Sequence, residues 1–280
     1  MKKLEHPSLM RAIPWPDTKW TARDKPILIV DGELYPMRSL SRTVSGNAAY
    51  VVGAGDREVS ALGTLVDVEF LRFYELRAAK LEPLSQIQRL RHLKIEWDTK
   101  LRELDAIAAL ENLETLIVID TPKVSDLSPL KALTHLAALE YSGGIWNKQH
   151  ADSLEPLASL PKLEELVLTN LRVQSGGLTP LARCRSLRTL RLSNQFDTED
   201  YAFLSVALPQ VQCDSFQPWV PVELPNGADT MITGRRKPFL NSSTDGARIA
   251  AYERAFRALQ AKFASEISTL PRRDPGNHAE

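Results

Sequence analysis

Between Leu154 and Asn170 the chain reads LEPLASLPKLEELVLTN, which places leucine at 154, 157, 160, 163, 166 and 168. A helix needs apolar residues at a period near 3.6, and a half-buried strand needs them at every second position. This run keeps a period of three and then changes to two. The same rhythm recurs in LEPLSQIQRLRHLKI from Leu81, LDAIAALENLETLIV from Leu104, LSPLKALTHLAALEY from Leu127 and LTPLARCRSLRTLRL from Leu178. A weaker copy, LGTLVDVEFLRF, begins at Leu62, and a degraded one, FLSVALPQVQCDSF, ends at Phe216. The leucines that open each final pair are Leu71, Leu93, Leu116, Leu139, Leu166 and Leu190, at successive gaps of 22, 23, 23, 27 and 24 residues. A period in the twenties is the mark of a solenoid.

The two rhythms have separate physical causes. The leucine-x-leucine pair suits a short strand whose alternate side chains point to one side. The preceding spacing of three suits a 3₁₀ or irregular turn, in which residues three apart share a side. A single coil cannot bury its own apolar edge, so successive coils stack and share one leucine core. The tripeptides EPL, SPL, EPL and TPL recur where each turn begins. Proline there fixes φ and gives up an amide that no strand ladder would use.

With these units, the chain resembles leucine-rich repeat proteins, in particular the bacterial internalin-like type, over Leu62 to Phe216. The resemblance implies an α/β fold: a curved solenoid with a parallel concave sheet and about seven coils. That family usually carries an asparagine just after the strand pair, whose side chain ties successive turns into a ladder. The corresponding places here hold Trp97, Asp120, Gly143, Asn170 and Asn194, so the expected ladder is partial.

Solenoid ends need covering, and the flanks are read as caps. Residues 1–60 are expected to form a β-rich cap, with Asp31-Gly32 turning a hairpin inside ILIVDGELYPM and AAYVV as a further strand. Residues 61–216 form the solenoid, 217–268 a loop region with a capping helix, and 269–280 a disordered tail. In the helix, Ile249, Tyr252, Phe256, Leu259, Phe263 and Ile267 share one face. That face packs on the last coil or docks a partner. Arg235, Arg236 and Lys237 read as a solvated basic loop. The long gap between Leu139 and Leu166 falls in YSGGIWNKQHADSL, where Trp146 is expected to fold back on the core. The competing reading is an insertion on a binding face.

Net charge is zero, from 35 basic and 35 acidic side chains, so no overall field attracts nucleic acid or an anionic membrane. The first twenty residues lack the apolar stretch of a signal peptide, and only Cys184 and Cys213 are present. A cytoplasmic protein is expected, with both cysteines as core hydrophobes. The five histidines show no metal-ligand spacing, and no nucleophile or nucleotide-binding motif is found. GAGDRE, the nearest approach to a phosphate loop, has Glu58 in place of its third glycine and is read as a turn. No catalytic residue, cofactor or metal is assigned, and the chain is read as a non-enzyme.

The remaining candidate is the concave face of the stacked strands, whose residues alternate with the inward leucines. Its first coils offer Phe70, Arg72, Tyr74, His92, Lys94, Glu96 and Trp97, and the next offer Ile117, Ile119, Glu140, Val167 and Arg191. Aromatics and arginine are the residue types that dominate protein interfaces. The sequence-based expectation is a protein-interaction module that binds a protein partner across this face. Homodimerisation through the apolar strip is the alternative, and a ligand site in the N-terminal segment is a weaker one.

Overall fold

The computed structural model describes Met10, Ile13 and residues 26–269. Contacts divide the chain into two compact units, residues 1–193 and 194–280.

The first unit is built on one nine-stranded sheet. Its strands begin with β1 (Ile27–Val30), β2 (Glu33–Pro36), β3 (Val44–Ser45) and β4 (Ala48–Val52), followed by helix α1 (Asp56–Leu65) and β5 (Val66–Asp67). Then come β6 (Phe70–Tyr74), β7 (His92–Glu96), β8 (Thr115–Ile119), β9 (Ala138–Ser142), β10 (Gln149–Ser153), β11 (Glu165–Leu168), β12 (Leu171–Ser175) and β13 (Thr189–Leu192). The main sheet runs β13-β11-β9-β8-β7-β6-β4-β1-β2. From β4 to β13 every pairing is parallel, and β1 joins β4 and β2 antiparallel.

The leucines singled out by the repeat form one column of Cα partners: Leu71, Leu93, Leu116, Leu139, Leu166 and Leu190. All six are buried. The period of three is explained by the backbone of the returns. Leu84, Ile107, Leu130, Leu157 and Leu181 each donate an amide to the residue three back, and the link repeats in every return at Ile87, Leu110, Leu133, Leu160 and Cys184. Residues three apart therefore fall on the inner side of a 3₁₀ turn. Proline opens four of the five returns, where no intrahelical partner exists for its missing amide.

The hairpin at Asp31-Gly32 forms, with φ of 48° and 90°, the left-handed pair that a tight hairpin turn demands. The carboxylate of Asp31 accepts the amides of Asn47 and Ala48, both at 2.8 Å. AAYVV, expected inside a separate cap, is instead β4, the first parallel strand of the solenoid sheet. GAGDRE is the start of α1: Gly55 is its N-cap, and the Glu58 carboxylate accepts the Gly55 amide at 3.0 Å. That gives the N-cap amide a partner in the chain's own carboxylate, placed at the positive end of the helix.

The second unit differs from expectation in two places. The degraded copy ending at Phe216 contributes no strand. It forms helix α2 (Thr198–Ala207), which buries Tyr201, Ala202 and Leu204, and a short 3₁₀ turn at Asp214–Phe216. Acidic Glu199 and Asp200 suit its first turn, and Pro209 follows its end. The supposed loop region holds a three-stranded antiparallel sheet of β14 (Trp219–Pro221), β15 (Thr230–Ile232) and β16 (Phe239–Leu240). Helix α3 (Gly246–Thr269) follows. It packs on α2 through Phe203 and Phe263, with ring centroids 5.5 Å apart, and Gln260 donates to Ser205 at 2.8 Å. Phe256 is buried, Ile249, Tyr252, Leu259 and Phe263 are half-buried, and Ile267 is exposed. Arg235 pairs with Asp197, and Lys237 lies over the Tyr252 ring. The tail expected at 269–280 lies, beyond Thr269, outside the described residues.

Gly63 on α1 faces the first return directly. A β-carbon there would sit 2.0 Å from the carbonyl oxygen of Pro83. Gly63→Ala is therefore expected to cost about 2–3 kcal/mol through overpacking against backbone. Denaturant unfolding of the variant beside wild type measures this.

Candidate partner-binding face

Strand alternation puts the candidate residues on the face opposite the leucine core, and the register sets them in rows across coils. Phe70 partners His92, Arg72 partners Lys94, and Tyr74 partners Glu96. Lys94 continues to Ile117 and Glu140, then to Val167 and Arg191. All twelve candidates therefore belong to one surface, with Trp97 at its rim.

The N-terminal rows are aromatic and charged. Phe70 and His92 stack with centroids 4.4 Å apart and planes 13° apart. Tyr74 meets Trp97 edge to face at 5.9 Å, and Arg72 lies over the Tyr50 ring at 5.0 Å. Glu96 accepts from Arg72 at 2.6 Å and pairs with Lys94 at 3.0 Å. Burial lowers the His92 pKa and so favours the neutral ring, whose Nδ1 is buried without a hydrogen-bond partner. Further along, burial raises the Glu140 carboxyl, while Lys94 and Arg191 pull it back. Glu165 pairs with Arg191 at 3.0 Å.

The apolar strip is not a bare surface. Ile117 and Val167 are only 3% and 5% exposed, because they pack with Ala138 and with Met10, and Ile119 lies alongside. The Met10 amide donates to Glu165 Oε2 at 3.4 Å. The strip offered as a partner contact is thus occupied by the chain itself, which no reading of the repeat could show.

Strand exits form a second row. Gly53, Glu75, Trp97, Asp120 and Asn170 each follow a parallel strand with φ between 46° and 69°. Their amides extend the ladder to the next coil: Gly53 to Tyr74, Glu75 to Glu96, Trp97 to Ile119 and Asp120 to Ser142, at 2.9 to 3.1 Å. The backbone therefore keeps the turns regular where the asparagine ladder is missing. Glycine, asparagine and aspartate take this conformation readily, whereas a tryptophan there is strained. Trp97 is nevertheless 45% exposed.

The long coil also departs from expectation. Trp146 does not fold back: Ile145 and Trp146 are 90% and 87% exposed. Their loop is held from beneath. Asn147 donates to Asp120 at 3.0 Å, and Asn170 donates to the carbonyls of Gly144 and Asn147 at 2.8 and 3.1 Å. A β-carbon on Gly144 would lie 2.3 Å from an Asp120 oxygen. Buried Gln149 anchors the far end, accepting from Thr121 and donating to Thr121, Val124 and Tyr141. Sequence reasoning missed Gln149 and Asp120 as loop anchors. Gln149 lies inside the insertion, whereas Asp120 was legible only as a strand-exit position one coil earlier.

Among the described residues no cluster of three metal-ligating side chains occurs. Burial raises the Cys184 thiol to about 11 and the Cys213 thiol to about 12, which leaves both poor nucleophiles at neutral pH. Beside Trp97, Asp98 is fully buried. Its Oδ1 accepts the amides of Lys100 and Leu101, and its Oδ2 has no partner. Burial raises this carboxyl to about 6.

Two predictions follow from this corner. Trp97→Asn should leave stability unchanged or raise it by up to about 1 kcal/mol, since relief of strain offsets loss of the Tyr74 contact; thermal unfolding tests it. Asp98 has a folded pKa above its unfolded value, so the native state binds the extra proton. Its stabilising contribution is present below about pH 4 and is lost as pH rises through about 6. Asp98→Asn keeps the Oδ1 acceptor and should stabilise the protein by roughly 2 kcal/mol at pH 8, with little gain at pH 4. Paired melts at the two pH values measure the difference.

No family model matches the chain, and no curated protein does. Among solved structures it is similar to internalin C2 from Listeria monocytogenes, at 23% identity and a TM-score of 0.43, covering 65% of this chain and 74% of that one. It is similar also to internalin F of the same organism, at 23% identity and a TM-score of 0.43, and there it spans half of the other chain. The chain's own leucine period and in-register parallel strands are those of a repeat solenoid.

Proposed function

We propose that this protein is a non-catalytic protein-binding module, with its partner seated on the N-terminal rows of the concave face and on the strand-exit rim beside them. Trp97 carries the reading. It stands in a left-handed conformation that asparagine or glycine would fill at lower cost, and nearly half its surface remains in solvent. The fold gains little from a tryptophan there, whereas interfaces use such residues as anchors. Tyr74, Phe70 and His92 extend the aromatic surface, and the Arg72–Glu96–Lys94 group supplies a polar border. Regulator, inhibitor or scaffold roles are all compatible with this surface. A cytoplasmic setting remains part of the proposal and is supported by two cysteines that form no disulfide.

Affinity capture from lysate of the native host tests the site, using wild type beside a folded Tyr74→Ala, His92→Ala, Trp97→Ala variant. One protein retained by wild type and reduced at least tenfold with the variant is the expected result. Equal retention by both would overturn the assignment of this face.

A second reading, self-association, is favoured by Ile145 and Trp146, an exposed apolar pair on an anchored loop. Solution mass that rises with concentration, and falls back in Trp146→Ser, would support it in place of the first.

A further inference from the structure

Met10 occupies a particular feature of the concave face. Ala138 lies in one row between Thr115 and Glu165, so a one-carbon side chain stands between two longer ones. Ile117 and Val167 flank it from the next row. The result is a notch with Ile117 and Val167 as apolar flanks, Glu140 between them and the Glu165 carboxylate at its edge. Met10 fills it, 6% exposed, with its amide directed at Glu165. Methionine is unbranched and suits an irregular apolar gap, and its fit needs no special rotamer of the host. The accompanying amide link, at 3.4 Å, is longer than an ordinary hydrogen bond. Among the described contacts of Met10 the polar one is long, and the apolar one is made by an unbranched side chain that another could replace.

We infer that the Ala138 notch is a binding pocket for an apolar side chain of a peptide segment, and that the chain's own Met10 is its resident occupant. The inference rests on the concave face being the binding surface, and it adds an intramolecular competitor to that reading. A tethered segment acts at high effective concentration. A partner bearing an equivalent apolar anchor must displace Met10, and its apparent affinity falls by the fraction of molecules in which the notch is filled.

The test uses a fluorescent synthetic peptide, EHPSLMRAIPWP, which copies residues 5–16, titrated by anisotropy into full-length protein. Met10→Asp protein, which has lost its own anchor, should bind the peptide at least tenfold more tightly than wild type. Adding Ala138→Leu, which fills the notch, should abolish that binding. Equal binding to wild type and Met10→Asp, or binding to neither, overturns the inference. So does dimerisation of Met10→Asp without peptide, which would give the notch to a second copy. Wild type provides a check that needs no folded variant. With ¹³C-methyl methionine, one of only four such signals belongs to Met10. Millimolar unlabelled peptide should move that signal to an exposed position, and a signal that stays fixed overturns the inference. No natural partner enters these measurements. Failure here leaves the aromatic rows open to the capture experiment, and failure there removes the partner from the inference while the peptide titration still reports on the notch itself.

Discussion

Stacking of the inward leucines in register is the interaction on which the rest of the first unit depends. Each strand of the main sheet is four or five residues long and could bury almost nothing alone. Leu71 through Leu190 stand one above another as Cα partners, so each coil's apolar edge is covered by the next. Full burial of a leucine is worth roughly 1.5–3 kcal/mol, and the column repeats that gain at every coil. The 3₁₀ returns add a second column, from Leu84 to Leu181, on the opposite side of the core.

Because register is fixed by the core, whatever follows the strands is also aligned. Left-handed residues stack at the exits, and their amides continue the ladder beyond the last side-chain pair. Extra residues in the long coil cannot enter the column without breaking it, so they emerge at this corner. There Asp120, Asn147 and Asn170 hold the loop while Ile145 and Trp146 face solvent. Trp97 shares the corner two coils away. The positions least constrained by the core are therefore also the ones that display large apolar side chains.

Charge on the concave face is largely balanced within the face. Glu96 lies between Arg72 and Lys94, Glu165 pairs with Arg191, and burial works against ionisation of Glu140. A surface paired in this way has little long-range pull, in keeping with a net charge of zero. Recognition would then rest on shape and apolar contact, with the ion pairs excluding wrong partners more than attracting the right one.

Periodicity alone determined the leucine column, the 3₁₀ returns, the hairpin at Asp31-Gly32 and which side chains leave the core, because each follows from local geometry or from a repeat of fixed length. It also determined that Phe70, Arg72, Tyr74, His92, Lys94 and Glu96 share a face. Where the repeat faded, neighbours decided. AAYVV became a solenoid strand because β1 and β6 supply partners on both sides, and the segment ending at Phe216 became a helix with only a single β-bridge, at Gln212. Tertiary structure alone decided that Met10 fills the Ala138 notch, since the plug and its pocket are more than a hundred residues apart and share no pattern. It alone decided that Trp146 points to solvent, because the hydrogen bonds that hold its loop come from residues on other coils.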